Sequence, residues 1–133
     1  MDPPRAWVGW PVALRRERAS VDEAFGVVEH PGTVGPRIAV SGEVDVATAP
    51  TLREHLYEAI DRSSGPVIVD LLAVTFIDST ALGVLIGAQE RCEERGTDLR
   101  IVLKEARILK IFEITGLTDL FSIVPSVAEA EAR

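Results

Sequence analysis

Cysteine is all but missing from this chain. Cys92 is the single one in 133 residues, so no internal disulfide can form. One cysteine and no export signal fit a reducing compartment, and a cytoplasmic protein is expected. Basic residues are in the minority, 14 against 21 acidic, for a net charge of −7. That balance argues against nucleic acid, whose phosphates need a basic surface, and against an anionic membrane surface. No apolar run approaches the roughly 20 residues of a membrane span. There are two histidines, His30 and His55, and neither has a ligand-spaced partner, so no metal site is expected. No glycine-rich phosphate loop and no Gly-x-Ser-x-Gly elbow occur, and no histidine stands near Ser79 in sequence to act as a base. These absences predict neither a cofactor nor catalysis.

Apolar residues make up 47% of the chain, enough for one real core in one domain. The first stretch differs from the rest. It holds Trp7, Trp10, three prolines and Arg15-Arg16-Glu17-Arg18, and its apolar run is broken by Gly9 and Pro11. The arginines follow the apolar run, whereas those of a signal peptide precede it. A poorly ordered arm is predicted over residues 1–22 and a folded domain over 23–133. The competing reading is that the two tryptophans dock on the domain or on a partner. With four basic and two acidic residues, the first twenty carry +2 and the remainder −9.

From Phe25 onward strand and helix signals alternate. Phe25 to Glu29 and Arg37 to Ser41 read as an antiparallel pair around a Pro/Gly loop. Thr48 is the expected cap of a helix with Leu52, Leu56, Ala59 and Ile60 on one face. Val67 to Leu71 reads as a buried parallel strand. A helix is predicted from Ser79 to about Arg95, closed by Gly96. Leu99 to Leu103 is the next buried strand, and Glu105 to Thr115 the next helix. A last strand, Phe121 to Val124, and a short helix, Pro125 to Ala132, follow. Alternation of this kind predicts a single α/β domain: a mixed, mostly parallel sheet of about five strands with about four helices.

Short polar residues collect where strands end: Ser41, Glu43, Asp45, Asp78, Ser79 and Thr80. In a parallel sheet, strand C-termini and helix N-termini share one edge, so Asp45 and Ser79 should lie on one rim. Ser79 opens a helix, where backbone N–H groups lack partners and the dipole favours negative charge. It is therefore either a plain cap or a place for a phosphate, and position alone leaves both open. Cys92 reads as a buried, inert thiol, and Gly83-x-x-x-Gly87 as close packing on an amphipathic helix.

Gly42-Glu43-Val44-Asp45 before a helix, then Val69-Asp70-Leu71 leading into Phe76-Ile77-Asp78-Ser79-Thr80-Ala81-Leu82-Gly83, resembles the STAS domain. More narrowly it resembles the bacterial anti-sigma-factor antagonists. The likeness covers about Phe25 to Val127 and includes Gly96 and Thr115-Gly116-Leu117. It implies a partner switch. An anti-sigma factor with a histidine-kinase-like ATPase fold would phosphorylate Ser79, and a metal-dependent serine phosphatase would reset it. The unmodified protein would bind the anti-sigma factor and free a sigma factor. Glu43, Asp45, Asp78, Ser79, Thr80 and Ala81 would form the partner-binding surface. The family's usual glycine is Ala81 here, whose methyl is expected to narrow a kinase's approach to Ser79. Two other functions are weighed beside this one. The first is an unphosphorylated STAS scaffold in a sensory or transport-associated complex, marked by stable co-purification. The second is a small nucleotide-binding or hydrolytic enzyme, which a nucleotide titration would reveal.

Overall fold

The computed structural model describes residues 24–132. The arm predicted over 1–22, and with it the boundary at residue 23, lies outside the described residues. β1 (Phe25–His30) and β2 (Arg37–Val44) pair antiparallel. β3 (Val67–Ile77), β4 (Leu99–Val102) and β5 (Ser122–Val124) then add in parallel, each beside its predecessor, so the sheet order follows the sequence. Between the parallel strands lie α1 (Ala49–Arg62), α2 (Ser79–Glu94) and α3 (Ala106–Ile114). A 3-10 turn (Leu117–Asp119) precedes β5, and α4 (Val127–Ala132) ends the described chain. The predicted single α/β domain with a mixed, mostly parallel sheet is the architecture observed.

Same-handed crossovers between neighbouring parallel strands put their helices on one face of the sheet. The core shows this. Phe25, Val27, Ile38, Val40, Val67, Val69 and Leu71 pack with residues of α1, α2 and α3 in one buried cluster. Burying each such side chain contributes about 1.5–3 kcal/mol relative to leaving it exposed. The opposite face is covered much less. There Ile68 and Val102 meet Ala130 of α4 in a small second cluster.

Two strands run past their predicted ends. β2 continues from Ser41 to Val44, and β3 from Leu71 to Ile77. No turn residue interrupts Leu72 to Phe76, and the two extensions pair with each other through Val44 and Ile77. Their register shifts between Ala39 and Ser41 and again between Gly42 and Glu43. Gly42 adopts a φ of 81°, and a Cβ there would fall 1.9 Å from the Ala24 carbonyl oxygen. Only glycine fits a bulge of that kind. Beyond it the plain alternation fails: Val74 and Ile77 are buried, while Leu72, Ala73, Thr75 and Phe76 are exposed. Among the described residues no helix is long and apolar enough to cross a membrane.

Candidate functional site

The site forms where β2 and β3 end. Val44 pairs with Ile77, and the Asp78 N–H donates to the Val44 carbonyl at 3.3 Å. Asp45 and Asp78 therefore leave adjacent strands side by side. Glu43 is exposed one step back, opposite Phe76 in the register. The rim thus brings together Glu43, Asp45, Asp78 and Ser79, as the strand-end pattern predicts.

The first helix is not capped as expected. Thr48 holds the N-cap position, but its side chain makes no capping bond. Its hydroxyl donates to the Glu43 carbonyl at 3.0 Å and accepts the Asp45 N–H at 2.9 Å. Asp45 holds the turn that leads into the helix: its Oδ1 takes the N–H groups of Ala47 at 2.9 Å and Thr48 at 3.1 Å. A carboxylate bonds two backbone donors of a tight turn more strongly than a hydroxyl can. Asp45 is thus a structural turn residue, and that turn sets the geometry of the rim.

At the second helix the cap is Asp78. Its backbone is extended, and its Oδ1 accepts the Ala81 N–H at 3.1 Å. Ser79 is the first residue inside α2, so its hydroxyl is not the cap that one of the two sequence readings made it. Ser79 and Thr80 are both exposed. Ala81 is fully buried in the main core. Its methyl points into the protein and does not narrow access to Ser79, contrary to the sequence expectation, and its side chain offers no surface to a partner. The helix geometry explains the split: positions 79, 80 and 83 face outward while 81, 82 and 85 face the sheet.

Two features of the site differ from or escaped the sequence reading. Gly83, expected to serve close packing, is instead exposed one turn after Ser79, and a Cβ there would meet nothing within 4 Å; of the Gly83-x-x-x-Gly87 pair only Gly87 is closely approached, by Tyr57. Val46, in the rim loop, is 71% exposed. An apolar residue between Asp45 and Ala47 in a turn was the available signal for the second.

Remaining chemistry is sparse. Cys92 is buried, and that burial pushes its thiol up to about 11. A thiol held neutral at physiological pH is a poor nucleophile. Among the described residues no group of three His, Cys, Asp or Glu side chains is arranged to hold a metal ion.

What this arrangement defines is a small α/β domain with an exposed serine at the start of a helix, set in an acidic rim. The STAS domain model matches residues 26–130. The chain belongs to the STAS-domain family. It is similar to the anti-sigma-B factor antagonist of Listeria monocytogenes: 40% identical over 87 residues, spanning 65% of this chain and 75% of that protein. A crystal structure of an anti-sigma factor antagonist from Mycobacterium paratuberculosis superposes with a TM-score of 0.75 at 24% identity, covering 85% of this chain and 96% of that one. The Bacillus cell fate determinant SpoIIAA, solved in its phosphorylated form, shares the fold with a TM-score of 0.58 at 19% identity, over 80% and 97%.

Proposed function

We propose that this protein is an anti-sigma-factor antagonist whose binding to its anti-sigma factor is switched off by phosphorylation of Ser79. The observation that carries the reading is the division of labour at the start of α2. Asp78 supplies the cap, so the exposed Ser79 hydroxyl is not tied to holding the helix. The kinship with a curated antagonist supplies the partner class. The kinase would be the anti-sigma factor itself, with a histidine-kinase-like ATPase fold, and a metal-dependent serine phosphatase would reverse the modification. The protein would act as a regulator and not as an enzyme.

Gly83 supports the same surface. Glycine inside a helix costs about 1 kcal/mol relative to alanine. Nothing inside the protein requires it there, since the space beyond its Cα is open. A partner's backbone approaching α2 closely beside Ser79 would require it. Thr80, Glu43 and Val46 would complete the contact.

A phosphoserine adds about −1.5 to −2 charge. Within the domain the first turn of α2 accommodates it, because free N–H groups and the helix dipole favour an anion there. Toward a partner it concentrates negative charge beside Asp78, Asp45 and Glu43. Like charges facing each other across an interface cost several kcal/mol. Since about 1.4 kcal/mol is tenfold in affinity, roughly 3 kcal/mol weakens binding by more than a hundredfold. The modification can release the partner with no change of fold.

The test uses the purified anti-sigma factor and isothermal titration calorimetry. Ser79→Ala is expected to bind as the parent does and to take up no phosphate. Ser79→Asp is expected to bind about a hundredfold more weakly. Neither variant loses the cap, so both should unfold within about 0.5 kcal/mol of the parent. Equal binding by parent and both variants sinks the switch. A condition-dependent phosphate on Ser79, seen by mass spectrometry of protein from its native host, would support it.

A further inference from the structure

The face of the sheet opposite the helices is left bare at one end. Among the described residues α4 packs there on Ile68 and Val102, with Val34 and Val124 beside them. At the β1–β3 end, Leu72 stands 44% exposed and Phe76 47% exposed, two of the five exposed large apolar side chains among the described residues. Beside Leu72 runs a shallow groove of about 240 Å³, lined by Val28, Ala39, Leu72 and Ala73 together with the polar His30, Ser41 and Asp70. Strands with a polar outer face avoid this pattern, and exposed apolar patches with a polar border mark contact sites.

We propose that this face is the docking site of the chain's own first 23 residues, with Trp7 and Trp10 seated against Leu72 and Phe76. Three observations commit the site to this occupant. The first is where the described chain begins. The Ala24 carbonyl accepts the Glu43 N–H at 2.8 Å, and Glu43 is opposite Phe76 in the β2–β3 register. The described chain thus begins, at Ala24, in the same row as Phe76. The second is reach. Fourteen residue-to-residue steps separate Trp10 from Ala24. At about 3.3 Å each they span up to roughly 46 Å, against about 10 Å across the two strand spacings from β1 to β3. The third is charge: the first twenty residues carry +2 and the rest of the chain −9, with Glu43 at the border of the patch. Tethering also makes a weak contact sufficient, because covalent linkage over a short span raises the effective concentration to the order of millimolar. The inference goes beyond the switch and does not depend on it. Its consequence is that the segment and an approaching partner share the border at Glu43.

The experiment needs no label, because the chain's two tryptophans, Trp7 and Trp10, both lie in this segment. Tryptophan emission of the full chain should be blue-shifted from that of N-acetyl-tryptophanamide, with acrylamide quenching reduced severalfold. Both effects should persist unchanged on dilution. In the double variant Leu72→Thr/Phe76→Thr, which keeps residues suited to strands, emission should move to the free position and quenching rise severalfold. Far-UV circular dichroism of the variant should match the parent. Emission of the parent at the free position overturns the proposal, whatever the variant does. A blue shift that the double variant retains places the segment elsewhere and overturns it as well. A shift lost on dilution means docking on a second copy, which also overturns it.

Discussion

Asp78 carries a cap and a charge, and single substitutions separate them. Its Oδ1 holds the Ala81 N–H at 3.1 Å, and its charge sits next to Ser79. Asp78→Ala should cost about 1 kcal/mol, the usual loss of a cap. Asp78→Asn keeps an acceptor and should stay within a few tenths of a kcal/mol of the parent. Urea unfolding with an unchanged slope would measure both, and equal losses for the two would show that charge, not capping, stabilises the helix start. Ala81, two residues inside the cap, shows how local these roles are. It reads as a departure from a surface motif, yet its methyl belongs to the core.

The α1–α2 pair turns on one aromatic ring. Tyr57 lies between Arg53, 4.4 Å from its centroid, and Arg91, 4.6 Å away. Arg91 in turn grips Asp61 with two hydrogen bonds of 2.8 Å, which hold the aspartate below its ordinary range and the guanidinium above its own. This clamp leaves the Tyr57 hydroxyl 2.4 Å from where a Cβ on Gly87 would sit. Gly87→Ala should therefore gain nothing in stability, since the helix-propensity benefit of about 1 kcal/mol is offset by displacing the ring. In a Tyr57→Phe background the nearest ring atom is 3.6 Å away. There the same change should stabilise by about 0.5–1 kcal/mol. A thermal-denaturation double-mutant cycle checks this, and additivity would refute the clamp. Gly83→Ala meets no such obstacle and should stabilise by about 0.5–1 kcal/mol in any background. If Gly83 serves an interface, the same variant should bind the anti-sigma factor more weakly.

At the scale of the whole molecule, the β1–β2 loop and α4 are tied together. Glu131 on α4 accepts from the Thr33 N–H at 2.9 Å and the Thr33 hydroxyl at 2.8 Å, across 98 residues of sequence. The backbone bond first, then the hydroxyl, lowers the Glu131 carboxyl below its ordinary 4.5. A carboxyl lowered by folding adds stability above its unfolded pKa, and that stability is lost as pH falls through the folded value. Glu131→Gln should therefore be less stable than the parent at neutral pH. The difference should close as pH drops below about 4.5. Unfolding midpoints against pH would measure this, and a difference that stays constant through acid would refute it. The sequence by itself determined the element order, the mixed parallel sheet and the helix beginning at Ser79, because apolar periodicity and turn residues such as Gly96 and Gly116 act over a few residues. It also put Glu43, Asp45 and Asp78 on one rim, since a parallel sheet aligns its strand ends. Only the tertiary structure decided that Asp78, not Ser79, caps its helix and that Asp45 fixes the turn before the other, because several acceptors compete for the same N–H groups and three-dimensional geometry selects among them. The long β3, the bulge at Gly42 and the bare Leu72 and Phe76 were likewise settled by pairing between distant strands, which no local pattern encodes.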